Sequence, residues 1–234
     1  MGNIYQYELR RLLWNKLFLG LAVVILFYGS QVFFGQTLLG VAHTAPFSPW
    51  SFGLYLSRLL PLLWVGELFF LLYFTAGHAR HVAVLTTATP VDPHRYARTR
   101  CAAALTASAV LAGLAVLLPA ILYGLLFGFS RWDTLVLPAL VTLLPPMLLA
   151  LGSGWLLGQI RSWLLYLWML VPFLLAALPL PRALSLWNGS LFSELPLSLG
   201  TLDPAFQLPA SVWAVQAAML VLGALLIHFA GKRR

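Results

Sequence analysis

Residues 101–130 read CAAALTASAV LAGLAVLLPA ILYGLLFGFS, thirty positions without an Asp, Glu, Lys or Arg. A helix rises 1.5 Å per residue and crosses a ~30 Å hydrocarbon core in roughly 20 residues, so this stretch is long enough to span a bilayer. Continuous Leu/Ala/Val runs are not the alternating segments of about ten residues that barrel strands show. Three more charge-free runs have the same character: 134–160, 162–181 and 204–231. The region 17–57 has an apolar part ending near Leu39, where Pro46, Ser48, Pro49 and Ser51 begin a loop, and Leu59–Gly77 is broken only by Glu67. The expectation is an all-α polytopic membrane protein, a single transmembrane domain over 1–234. Its six spans fall at about 17–38, 59–77, 102–127, 135–157, 163–181 and 208–230, with an N-terminal amphipathic interfacial helix over 1–16. Two longer connections follow, 78–101 and 182–207.

Composition excludes the alternatives. Hydrophobic residues make up 61% and charged residues 9%, with a mean hydropathy of +0.90; soluble domains carry about 25% charged residues. The apolar excess excludes a disordered chain, the single cysteine (Cys101) a disulfide scaffold, and prolines and glycines without a repeat a collagen-like one. Met1–Lys16 holds Glu8, Arg10, Arg11 and Lys16, and the apolar run after it is too long for the core of a signal peptide.

The cations set an orientation. With the N-terminus inside, eleven basic residues are cytoplasmic (Arg10, Arg11, Lys16, Arg80, Arg95, Arg98, Arg100, Arg161, Lys232, Arg233 and Arg234) and three are outside (Arg58, Arg131 and Arg182). This distribution obeys the positive-inside rule and places both termini in the cytoplasm. The net charge of +8 is therefore a topology signal. No contiguous basic patch interleaves with solvent-facing aromatics, so nucleic acid is not an expected partner.

Two cytoplasmic segments carry more than topology. On a helix over 1–16, Tyr5, Leu9, Leu12 and Leu13 share one side while Arg10 and Arg11 tend away, which suits the headgroup layer of the bilayer. The loop 78–101 has an apolar stretch, Val82–Thr89, then a Pro-Val-Asp-Pro break, then a basic helix start. Pro90 and Pro93 end the first helix, and Asp92 before Pro93 reads as an N-cap with proline at the first helical position.

A basic amphipathic start, six spans, and Leu85–Thr86–Thr87–Ala88–Thr89–Pro90–Val91–Asp92–Pro93–His94–Arg95–Tyr96 between spans two and three resemble the ABC-2 type transporter permeases. A glutamate and a glycine common early in that family's loop are replaced here by His78, Arg80 and His81. The resemblance implies a permease subunit of a bacterial plasma-membrane ABC transporter, paired with a second permease chain, the same or different. It also implies that Val82, Leu85, Thr86, Thr87, Thr89, Pro90, Val91 and Tyr96 belong to a coupling helix that contacts a cytoplasmic ATP-binding subunit. Segment 182–207 is then an outer gate before the last span. The chain has no Gly-x-x-x-x-Gly-Lys-Ser/Thr, so it binds no cofactor itself, and ATP and Mg belong to the partner. Sparse charge suits a lipid, hydrophobic drug or amphipathic peptide as substrate.

Inside the membrane, Glu67 is the candidate polar site: a substrate-cation contact, a proton site, or a hydrogen-bonded carboxyl joining helices. Ser153 and His228 resemble the serine and histidine of rhomboid proteases, but the first glycine of the Gly-x-Ser-Gly pattern is missing and both residues lie near the cytoplasmic side. Gly152, Ser153 and Gly154 read better as a close helix contact. Gly124/Gly128 and Gly154/Gly158 have the same small-residue spacing. Pro119, Pro138, Pro145, Pro146 and Pro172 predict kinks, sharpest at Pro145–Pro146. Trp14, Trp50, Trp132, Trp155, Trp163 and Trp213 read as interfacial belt residues. The competing reading, a secondary transporter or channel subunit, wants inverted repeats and polar relays that one glutamate does not supply. No metal ligands or catalytic set stand out.

Overall fold

The computed structural model describes residues 2–75 and 93–229. Its regular structure in these residues is all helical, in the order α1 (Gly2–Leu13), α2 (Lys16–Val32), α3 (Pro49–Thr75), α4 (Pro93–Phe127), α5 (Asp133–Ile160), α6 (Leu164–Ala177), α7 (Ser190–Leu199) and α8 (Ala210–Phe229). One π-helical turn, Phe33–Thr37, prolongs α2. Among the described residues five helices are long and apolar enough to cross a membrane: Lys16–Thr37, α3, α4, α5 and α8. Apolar side chains stand outward along them, including Val23, Phe27, Ile121, Leu125 and Val221. In water such a surface would drive association; in lipid it is the solvated face of a multi-pass bundle.

The centre is α3. Its most apolar window is 78% buried, against 22% in α4 and 17% in α8, and it packs against α2, α4, α5, α6 and α7. The helix begins at Pro49, ten residues earlier than the span expected at 59. Proline loses nothing at the first helical position, Ser48 Oγ accepts from the Trp50 amide (3.4 Å), and Ser57 satisfies itself on the Leu54 carbonyl (2.7 Å). The Pro46–Ser51 loop therefore ends at Ser48. Trp50 and Trp155 are buried in the protein rather than exposed as belt residues would be, and the Trp50 indole donates to the Pro204 carbonyl (2.8 Å). Trp14, Trp132, Trp163 and Trp213 are exposed as a belt requires.

Glycines set the closest helix contact. A Cβ on Gly152 of α5 would lie 2.7 Å from the Gly223 carbonyl oxygen and 2.8 Å from Leu226 Cβ; one on Gly223 of α8 would meet the Leu148 carbonyl at 2.7 Å. The two backbones therefore run side by side in the same direction. Gly154 and Gly158 press on Leu68, Leu71 and Thr75 of α3. Gly124 faces Trp132 instead, and Gly128 (φ +62°) follows the end of α4, so that pair joins no helices. The helices continue through Pro119, Pro138, Pro145, Pro146 and Pro172.

The fifth expected span, 163–181, is shorter than its charge-free run. α6 has 14 residues, about 21 Å of helix, and stops because Leu178 precedes Pro179 and takes an extended conformation (ψ 147°). The segment after α6 folds back over one end of α3. Trp187 packs on Trp64 (5.4 Å between ring centroids), Phe192 of α7 sits against Gly53, and Phe206 lies on Trp50 (4.8 Å).

Candidate functional site

Polar side chains gather at the opposite end of the bundle, where α1 lies across α4. The stripe expected on α1 is in place: Leu12 is buried, Tyr5, Leu9 and Leu13 pack on the core, and Arg10 and Arg11 are exposed. Tyr5 and Thr106 share a hydrogen bond of 2.7 Å. One turn before Leu12, Glu8 is also buried. Its Oε1 accepts from Tyr96 Oη and from Arg100 Nε, both at 3.2 Å, and the Arg100 side chain is only 12% exposed. The Arg100 guanidinium lies 4.3 Å from the centre of the Tyr96 ring and 5.3 Å from that of Phe74. Arg11 stands 4.0 Å from Glu8 Oε2 and over the Tyr73 ring (4.7 Å).

A charge-assisted pair this far from water is stronger than a surface pair and costly to break, because the survivor stays buried. Cation–π contacts add to it. Three elements meet in the cluster: α1, the end of α3 through Tyr73 and Phe74, and the first turns of α4. The last two flank segment 76–92.

Of the expected coupling residues, Val82, Leu85, Thr86, Thr87, Thr89, Pro90 and Val91 lie outside the described residues, and Tyr96 is placed in the cluster. From the sequence, Glu8 entered only among the charges that argue against a signal peptide, and Arg100 only as a topology charge. The available signal was the register of Glu8, one helical turn from Leu12 on the apolar stripe. Nothing local identifies Arg100 as its partner, 92 residues away.

Glu67 lies in α3, fully buried, and neither carboxyl oxygen has a hydrogen-bond partner. Ser153 is occupied: its hydroxyl donates to the Leu149 carbonyl and accepts from the Trp168 indole (2.9 Å). His228 is exposed, its ring against Phe229 (5.5 Å). Among the described residues no three His, Cys, Asp or Glu side chains group as metal ligands. An open apolar groove runs along α4 between Leu117, Ile121, Leu125 and Trp132. Compared with protein-family models, with curated proteins and with solved structures, the chain matches none.

Proposed function

We propose that this multi-pass protein is the membrane-spanning subunit of a transporter whose energy comes from a separate cytoplasmic ATP-binding polypeptide. In this reading the chain crosses the plasma membrane of a bacterium six times, α6 and the extended Leu178–Pro181 together making the fifth crossing. Both termini, α1 and segment 76–92 face the cytoplasm. Two permease chains, the same or different, enclose the path, and the substrate is hydrophobic or amphipathic: a lipid, drug or peptide. ATP and Mg stay with the partner, and this chain catalyses nothing.

The Glu8–Arg100–Tyr96 cluster is the observation that carries the proposal. A membrane subunit driven from outside needs a rigid receiver, in which the segment that is pushed joins helices that move together. The cluster supplies one. Pro93–Phe127 is a single 35-residue helix, about 52 Å long, so its first turns stand beyond the apolar part and act as a lever on the rest. The apolar groove on α4 suits an acyl chain better than an ion.

The test is purification from native membranes under mild detergent. An ATP-hydrolysing chain should copurify with the protein. Replacing residues 82–91 with a Gly/Ser linker should release that chain while the permease still reaches the membrane. Recovery with no ATP-binding chain, or an association that survives the replacement, overturns the proposal.

A further inference from the structure

Glu67 is buried among side chains that leave it nothing to bind. Its neighbours in sequence fix its direction: Gly66 faces Leu111 of α4 and Leu21 of α2, while Leu68 faces Gly154 of α5. At 3.6 residues per turn Glu67 stands about 100° from each, at the seam of α3, α4 and α5. On α3 the residues one turn away, Leu63, Phe70 and Leu71, are at most 1% exposed; on α4, Cys101, Ala104, Ser108 and Leu111 are at most 3%. Neither Oε1 nor Oε2 of Glu67 meets a donor, and Ser108 Oγ is equally unpartnered.

Charged and titratable groups on the packed elements are few. Cys101 of α4 is a buried thiol. Arg100, one residue earlier, is engaged by Glu8. Between their terminal charges α2, α5 and α6 carry none, apart from Tyr28 and Tyr166, and Glu194 of α7 is exposed at the far end of α3. Tyr55 is more than three turns of α3 away, where it meets Gly29. Arg58 of α3 lies nine residues, about 13.5 Å, along the helix, and among the described residues no side chain donates to either oxygen of the carboxyl.

An isolated carboxylate in such surroundings is too costly to persist, so the group is neutral in this conformation. A carboxyl retained to join helices would spend its oxygens on interhelical hydrogen bonds, and both are unused. A metal ion wants several oxygen or nitrogen ligands, and one carboxyl supplies too few. We propose that Glu67 is a proton-binding site: the carboxyl holds a proton while the α3–α4–α5 seam is closed and passes it to water, as COOH + H₂O → COO⁻ + H₃O⁺, when the seam opens. The site rests on packing around α3 and is independent of what drives the protein.

The test is infrared difference spectroscopy of full-length protein in lipid, wild type minus Glu67→Gln, at pH 8. The expected result is a neutral-acid carbonyl band in the wild type that shifts on transfer to D₂O, showing that the proton leaves and returns. A carboxylate signature in place of that band overturns the proposal, and so does a band that never exchanges. If Glu67→Gln does not fold, wild-type protein treated with a hydrophobic carbodiimide decides the matter. Such reagents add to protonated carboxyls in apolar surroundings, so mass spectrometry should find the adduct on Glu67, and its absence overturns the assignment.

Discussion

Truncating Glu8 to Ala tests the receiver directly. The change removes both 3.2 Å hydrogen bonds to Oε1 and leaves the Arg100 cation in a site where its side chain is 12% exposed. Breaking a buried pair costs about 3–5 kcal/mol. Arg100 keeps its contacts with the Tyr96 and Phe74 rings, which puts the loss at the lower end, about 3 kcal/mol. The loss falls on the attachment of α1, since α2 onward does not depend on Glu8. At 1.4 kcal/mol per factor of ten, local opening of α1 becomes about 100-fold more frequent. Hydrogen exchange followed by mass spectrometry, with the protein in lipid nanodiscs, reads this out: amides of residues 4–13 should exchange about 100-fold faster while those of α3 are unchanged. Arg11→Ala is the control. Its side chain is 48% exposed and 4.0 Å from Glu8, so the effect should stay under about 1 kcal/mol, roughly fivefold. Acceleration of α1 by less than tenfold in Glu8→Ala, or equal acceleration of α3, refutes the clamp.

Gly223→Ala should lower the thermal unfolding temperature by an amount equivalent to about 1–3 kcal/mol, because the added Cβ meets the Leu148 backbone at 2.7 Å; Gly20→Ala, with nothing within 4 Å of its Cβ, should leave it unchanged or raise it. Phe192→Ala empties the space against Gly53 and should cost about 3–5 kcal/mol, seen as faster hydrogen exchange across residues 185–199 with α1 unaffected. Ser153→Ala removes the acceptor of the Trp168 indole and should cost about 1 kcal/mol in thermal unfolding while transport is retained; loss of transport with stability intact would give the hydroxyl a chemical role.

Much of the helical order was legible because transfer into hydrocarbon adds up along the chain, residue by residue. The runs 101–130, 134–160 and 204–231 became α4, α5 and α8 on that ground alone. Two boundaries moved for reasons that hydropathy does not weigh. Pro49 was read as a loop residue, yet proline suits the first turn of a helix, and α3 starts there. The run 162–181 has no charge, yet Pro179 ends its helix at Ala177. Trp50 and Trp155 were assigned to the membrane interface because a tryptophan near a span end usually sits there; the indole of Trp50 instead found the Pro204 carbonyl, 154 residues on.

The amino-acid sequence by itself determined that the chain is a set of apolar helices for a membrane, roughly where each lies, which side of α1 is greasy, and that Glu67 is out of place. Only the tertiary structure decided that Glu8 is held inside by Arg100 and Tyr96, that α3 is the central helix, and that Glu67 has no partner. Solvation is a property of a segment and is read locally. Whether a buried charge is answered depends on which distant residue packing brings within about 3 Å, and that is fixed by the assembled bundle.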